Sequence, residues 1–485
     1  MFQRFQASTS AKASLISKPT LISWEPTPRQ AFLIQSLNDF YKQRPKSDRT
    51  SRLEKYRFMQ NDVVSFFRGT NHLFWQDLFR NPILNFFSNE KTRCWINGDA
   101  NIMNCTFNYY MALLLLTKIV CSVLGSDGKV EYGLNHFDNA VMADYQYDVL
   151  RLAVSLDLQL RNLNLNEKSS KKQVLTSFLR SYTATCENIA TSTGETKHCS
   201  GTLLSKFLTR KQNEVQNKYH FLKRFTKLDP PETGKRVFID HGATAPAFIR
   251  QSIELALLSF PLTTSNQIFP AGYFQIKDVI TKRTLLGEQN RFFVLIQGPS
   301  RRDEEYRNVI LELRQQFSPH MQVEKEHNGR RVTMASRAHS KDGNIVDGWV
   351  TMMDNDEYSV QERNHVKETF QFERDPPSIQ ALEDLGKDFG DILARSHCRS
   401  GNFMKLHSIE NDYTSGSLAS ELADLFKGEE NKKEFTELMG LLAMQYSDQV
   451  VMDFQHFRLC LKQELKEKGS NGDEFDELHV TSSFV

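Results

Sequence analysis

Between residues 25 and 90 apolar side chains recur at helical spacing, with Phe32, Leu33, Leu37, Phe40 and Tyr41 falling on one face. That period predicts amphipathic helices laid on a core. From 93 to 165 short β-like runs alternate with turns: the turn Gly125-Ser126-Asp127-Gly128 leads into Val130 to Leu134, whose alternation suits a strand. A helix follows over Asp148 to Leu160, with Val149, Leu152, Ala153 and Leu156 inward. Residues 166 to 270 predict helices broken by polar loops at Asn166 to Gln173 and Thr191 to Gly201.

The pattern then changes to β. Tyr273 to Ile280, Arg291 to Gln297 and Val309 to Leu313 are aromatic or β-branched runs joined by Gly287-containing and Gly298-Pro299 turns, which predicts an antiparallel meander. Further strands are expected at Arg331 to Ala335 and Tyr358 to Glu362. From Ser378 the helical period returns through Leu382, Leu385, Phe389 and Leu393, then Leu418 to Phe426 and Phe435 to Phe457. The expected organisation is a flexible tail (1–24), a helical and catalytic-loop region (25–270), a β-rich region (271–377), a C-terminal helical region (378–466) and a disordered acidic tail (467–485).

Composition narrows the class. At 485 residues, 39% hydrophobic and 25% charged, the chain is a globular protein long enough for several domains or one large two-lobed enzyme. Lys+Arg 61 against Asp+Glu 59 leaves +2, so no overall field argues for nucleic acid, and none is expected as a partner. The run Met111 to Gly125 contains Lys118 and falls short of the roughly 20 apolar residues a bilayer needs, so a buried helix or strand pair is expected and no membrane span. Seven scattered cysteines without a C-x-x-C pair point to a reducing, cytoplasmic setting. Residues 1–24 carry Arg4, Lys12 and Lys18 with no acid, which leaves an organellar presequence as the alternative. The His198-Cys199 and His397-Cys398 neighbours are poor zinc motifs, because adjacent residues rarely chelate one ion.

The segment richest in chemistry is Trp95 to Asn104, an apolar strand end that delivers Asp99 and, five positions on, Asn104. Phosphoryl transfer uses such a pair: the carboxylate orients the acceptor hydroxyl and takes its proton, and the amide oxygen binds Mg²⁺. Asp138, at the end of the Val130 to Leu134 strand, stands where such enzymes place a metal-binding carboxylate. The later meander has the build of a nucleotide lobe, with Gly287 in the phosphate-covering turn and Arg314 as the phosphate-pairing cation. This predicts an α+β, protein-kinase-like two-lobed fold in permuted order, the catalytic loop preceding the β-rich lobe, with a helix-rich C-terminal part. Asp148 and Arg151, three apart on a helix, predict either an intrahelical pair or an anchor for the catalytic loop. Arg68 suits a phosphate or a carboxylate bridging the lobes equally. His397 is expected to pack or cap.

These stretches resemble the domain-of-unknown-function 2252 family. The resemblance is carried by Phe66-Phe67-Arg68-Gly69-Thr70, by Gly98-Asp99 with Asn104, and by Phe137-Asp138 with Ala143 to Ala153. Tyr358 to Arg363 with Lys367, and Leu393 to His397 with Arg399-Ser400-Gly401, complete it in family order. The resemblance implies a fold nearer aminoglycoside phosphotransferases than protein kinases. It also marks departures: Asn101 replaces a His, His136 an Asp of the metal motif, Arg314 a Lys and Gln315 a Glu, and one glycine survives of the glycine-rich turn. Imidazole suits Mg²⁺ poorly, and Asp138 is expected to supply the missing carboxylate. The expected activity is a phosphotransferase using ATP and Mg²⁺ on an unknown hydroxyl-bearing acceptor, with Asp99 as base, Asn104, Asp138 and His136 at the metal, and Gly287 and Arg314 at the nucleotide. The alternative is a pseudokinase-like binding or scaffold protein. A metal-independent hydrolase is disfavoured, because no Ser or Cys stands in a Gly-x-Ser-x-Gly elbow.

Overall fold

The computed structural model describes residues 26–42, 49–101, 120–124, 130–191, 209, 218–228, 236–239, 243–264, 275–282, 290–297, 308–321, 326–340, 347–363, 378–406 and 417–467. The chain is mixed helix and sheet. Its amino-terminal part forms α1 (Pro26–Lys42), α2 (Arg49–Met59), α3 (Val63–Gly69) and α4 (Asn71–Arg80), all within the expected helical stretch. Asp62 caps α3 by accepting from the N–H groups of Val64 and Ser65. Next comes β1 (Arg93–Ile96), a hairpin of β2 (Val120–Leu124) and β3 (Val130–Leu134), and β4 (Val141–Asp144).

β1 and β4 pair antiparallel, with Ile96 opposite Val141. That register brings the segment leaving β1 and the segment entering β4 out at the same end of the ribbon. The two loops expected to carry the chemistry therefore lie side by side.

Two long helices continue the chain, α5 (Gln146–Asn162) and α6 (Lys168–Thr191). The expected polar loop at Asn166 to Gln173 is corrected here: helix begins at Lys168, because the apolar positions Val174, Leu175, Phe178 and Leu179 extend a helical period that the lysines merely preface. The other expected loop falls almost wholly outside the described residues, as do residues 108–119 and both terminal tails.

After α7 (Lys218–Phe225), β5 (Thr226–Leu228) and β6 (Arg236–Phe238) comes the edge strand β7 (Ala243–Thr244). Helices α8 (Ala247–Leu257) and α9 (Phe260–Thr263) precede the expected meander β8 (Gln275–Thr281), β9 (Arg291–Gln297) and β10 (Asn308–Gln315). With α10 (Asn328–His339), β11 (Asp347–Thr351) and β12 (Glu357–Glu362) they complete a six-stranded sheet ordered β11-β12-β10-β9-β8-β7, antiparallel throughout. Alternation sorts its side chains onto two faces. One buries Val294, Leu311, Leu313 and Val360 beneath Ile253, Leu257 and Phe260 of α8 and α9, and the other buries Ile280, Phe293, Leu295 and Ile310 with Leu222 and Phe238.

The expected strand at Arg331 to Ala335 is also corrected: these residues lie in α10. Val332, Ala335 and Ala338 share one helix face in the helical core, and His327 caps the helix by accepting from Arg330 N–H at 3.1 Å. Five residues that alternate in polarity mimic a strand, and the period resolves only over the full helix. α10 thus joins the sheet, through Thr333 Oγ1 donating to Gly348 O at 2.8 Å, to the main core.

The carboxy-terminal helices α11 (Ile379–Leu406), α12 (Leu418–Leu425) and α13 (Glu429–Glu467) close the helical body. α6 and α11 cross closely at Gly390, where a Cβ would stand 2.3 Å from Phe178 O. Gly390→Ala is expected to cost about 1–3 kcal/mol in urea denaturation despite its better helix propensity, because overpacking against backbone cannot relax.

Candidate functional site

The loop Asn97 to Asn101 is held from every side. Asp148, buried on the first turn of α5, accepts from Asn97 N–H at 2.6 Å and Gly98 N–H at 2.9 Å, one carboxylate oxygen each. Gly98 O in turn accepts from Asn71 Nδ2 at 2.9 Å and Trp75 Nε1 at 3.2 Å, both on α4. Asn97 Nδ2 donates to Asn135 O and His136 O at 2.9 and 3.2 Å, tying this loop to the neighbouring one. Gly98 has φ +74°, and a Cβ there would lie 2.0 Å from Asn139 O, so only glycine admits this approach.

Asp99 projects from the loop with 20% of its side chain exposed. Arg151 donates to Asp99 Oδ1 from Nε at 2.9 Å and Nη2 at 2.5 Å, while its guanidinium lies over the rings of Phe67 and Phe74 at 4.3 and 5.0 Å. Burial raises the Asp99 carboxyl above its usual range, and the charges of Arg151 and Arg68 oppose that rise. Of the two roles open to Asp148 and Arg151, the structure displays anchoring: one fixes the loop backbone, the other the Asp99 carboxylate. Arg68 stands near enough to Asp99 for its charge to act on that carboxyl.

Behind the loop stands a buried relay. Tyr182 OH lies 2.9 Å from His397 Nδ1, and His397 Nε2 lies 3.4 Å from Asp148 Oδ2. His397 therefore packs, as expected, and also braces the anchor. Next to it, His339 stacks on Phe137 at 5.1 Å; burial, with help from His397 and Arg399, pushes its pKa down to about 3, so it is neutral at physiological pH.

The second loop meets the sheet. Arg314 of β10 pairs with Asp138 Oδ2 at 3.0 Å from Nη2 and reaches His136 Nδ1 at 3.3 Å from Nη1. His136 sits at φ +59°, an unusual conformation for a non-glycine residue. Arg331 of α10, which sequence reasoning missed, donates to the main-chain oxygens of Ala140 (2.5 Å), Asp138 (2.8 Å) and Phe317 (2.9 Å). Nothing local distinguishes such an arginine, since its acceptors are backbone groups far away in sequence.

Of the expected site residues, the structure brings together Asp138, His136 and Arg314, and sets Asp99 on the adjoining loop. Asn104 and Gly287 lie outside the described residues. Among the described residues the expected metal donors are one carboxylate, Asp138, and one imidazole, His136, fewer hard oxygen ligands than Mg²⁺ takes. The Asp138 carboxylate is neutralised by a guanidinium, and His136 Nδ1 faces the same cation. Among the described residues no group of three or more His, Cys, Asp and Glu side chains stands close enough to hold a metal ion, and no helix is long and apolar enough to cross a membrane.

The architecture defines a mixed α/β protein whose charged site lies where a braced loop of the helical body meets a large antiparallel sheet. The chain belongs to the DUF2252 family, described as an uncharacterized protein conserved in bacteria, whose model matches residues 49–459. No curated protein and no solved structure matches it.

Proposed function

We propose that this chain is a permuted kinase-like protein that binds a nucleotide in the cleft between loop and sheet, with phosphoryl transfer weak or absent. The observation that carries this reading is the contact of Arg314 with Asp138 and His136. The third strand of the later meander presents its cation to the loop beside Asp99, as a permuted nucleotide lobe requires. An incoming phosphate competes with Asp138 for the Arg314 guanidinium, which pairs naturally with phosphate oxygens. The Asp138 carboxylate being paired with Arg314 is what supports weak turnover in this reading. Cys94, Cys186, Cys398 and Cys460 carry free thiols.

A second reading, a working phosphotransferase with Asp99 as base, is favoured by the rigidity of the Asp99 loop and the carboxylate's partial exposure. Thermal-shift titrations with ATP, with and without Mg²⁺, separate the two. Saturating nucleotide at about 100 times its Kd stabilises a folded protein by about 2.7 kcal/mol. The expected result is a shift that does not need Mg²⁺ and is lost in Arg314→Gln. A shift that needs Mg²⁺ and disappears in Asp138→Ala transfers the case to the enzyme, and no shift with any nucleotide ends the nucleotide reading.

A further inference from the structure

The Arg331 guanidinium is buried and donates to main-chain oxygens of two separate segments. Asp138 O and Ala140 O belong to the loop that enters β4, and Phe317 O lies three residues beyond Arg314, past the end of β10. One planar group therefore holds both stretches of chain that carry the contact of Arg314 with Asp138 at 3.0 Å.

The helix bearing Arg331 is itself fixed to the sheet. Asn328 N–H and Nδ2 donate to Glu357 Oε2 at 2.6 and 2.7 Å, Thr333 Oγ1 donates to Gly348 O, and Arg337 Nε donates to Asp347 Oδ1 at 2.9 Å. At the far end of α10, His339 stacks on Phe137, the neighbour of Asp138. α10 thus acts as a bracket, tied to the sheet along one side and touching the Phe137 to Ala140 stretch at two points.

A guanidinium is a costly donor to use for carbonyls. Burial works against its charge and lowers the Arg331 pKa to about 10, while Glu326, Asp138 and Glu357 oppose the fall, so it stays protonated at pH 7. Neutral donors would satisfy the same oxygens with less desolvation. What the charge adds is a field at Asp138. When an incoming phosphate draws Arg314 away, the carboxylate keeps one cation nearby, and a partly buried charge left without any partner is strongly destabilising.

We infer that Arg331 is a positioning residue of the cleft: it fixes the main chain beside both partners of the Arg314–Asp138 contact, aims the two side chains at each other, and supplies the countercharge that lets Arg314 pass to a phosphate group. The positioning stands on the geometry alone, and the countercharge role rests on the nucleotide reading.

The test is a double-mutant cycle read by urea denaturation of the full-length chain. Arg314→Gln, Asp138→Asn and both together are measured first in the native background, then with Arg331→Lys or Arg331→Gln added. Lysine keeps the charge and gives up the fork; glutamine keeps a donor and gives up the charge. In the native background the two changes are expected to be coupled by about fivefold in the unfolding constant, and with either change at Arg331 the coupling is expected to fall below about twofold. A purely structural arginine lowers the stability of all four proteins by one amount and leaves the coupling intact, which overturns the inference. So does an absent coupling in the native background, and so do two Arg331 variants that fail to fold. In thermal-shift titration with ATP, affinity is expected to fall at least about tenfold in Arg331→Gln; an unchanged affinity overturns the countercharge. Coupling lost through Arg331 with no ATP shift in the native protein ends the nucleotide reading and keeps the positioning role. An ATP shift with coupling indifferent to Arg331 keeps that reading and ends this one.

Discussion

Asp148→Ala is expected to lower stability by about 3–5 kcal/mol and to abolish ligand binding in the cleft. The Asp148 side chain is buried and accepts from two main-chain N–H groups of the loop, Asn97 and Gly98, with His397 Nε2 on the same carboxylate. A buried donor left without its acceptor costs about 1–3 kcal/mol. Removing the carboxylate strands two such donors and leaves a void. The loop cannot re-pair them in place, because Gly98 is wedged against Asn139 and its carbonyl is tied to Asn71 and Trp75. Asp99 would then lose its fixed direction even where the fold survives. Urea denaturation with thermal-shift titration of the variant checks both parts; a loss under about 1 kcal/mol with ligand response intact shows that the loop does not depend on this anchor.

Arg29→Ala is the second change with a large expected effect. Arg29 on α1 donates to Asp77 of α4 (2.5 and 2.8 Å) and to Asp453 of α13 (2.5 to 3.2 Å), while Tyr446 OH donates to Asp77 Oδ2 at 2.7 Å. Burial alone works against the Arg29 charge, and the two carboxylates more than offset it, holding its pKa above the ordinary value. Burial likewise pushes the Asp77 carboxyl up, and Arg29 is the main influence restraining it. Without Arg29, two buried acids face each other across the helix junction, a loss of about 3–5 kcal/mol at pH 7. The pH dependence has a definite sign. A carboxyl whose folded pKa lies above its unfolded value stabilises the fold at low pH and loses that contribution as pH rises through the folded value. The deficit of Arg29→Ala against the native protein should therefore be smaller at pH 5 than at pH 7. A deficit that grows on acidification contradicts this account of the clamp.

Much of the secondary structure was legible before any coordinates. The helices around Phe32 to Tyr41, Val149 to Leu156 and Leu382 to Leu393 announce themselves through apolar spacing, and the three runs of the meander through β-branched and aromatic residues. Both depend on which neighbours share a face within a few residues. Where that signal was short, it misled: five alternating residues from Arg331 to Ala335 resemble a strand but belong to the helix that joins sheet and core. At the site, the Asp99 loop and Asp138 drew notice because residue type and spacing are local properties.

What the chain's order of residues settled by itself is therefore the kind of elements, the globular class and the family of the chain, all of them patterns within short windows or along one line of motifs. Only the folded path decided that Asp148 would hold a loop about 50 residues upstream, that Arg314 would meet His136 across 178 positions, and that Arg331 would clasp Ala140 across 191. Such pairings arise when strand register and helix packing carry distant groups to one place. Asp148 and Arg314 were marked by residue type and spacing, but where the acceptor is a backbone atom that every residue possesses, as for Arg331, no residue type along the chain marks the pairing in advance.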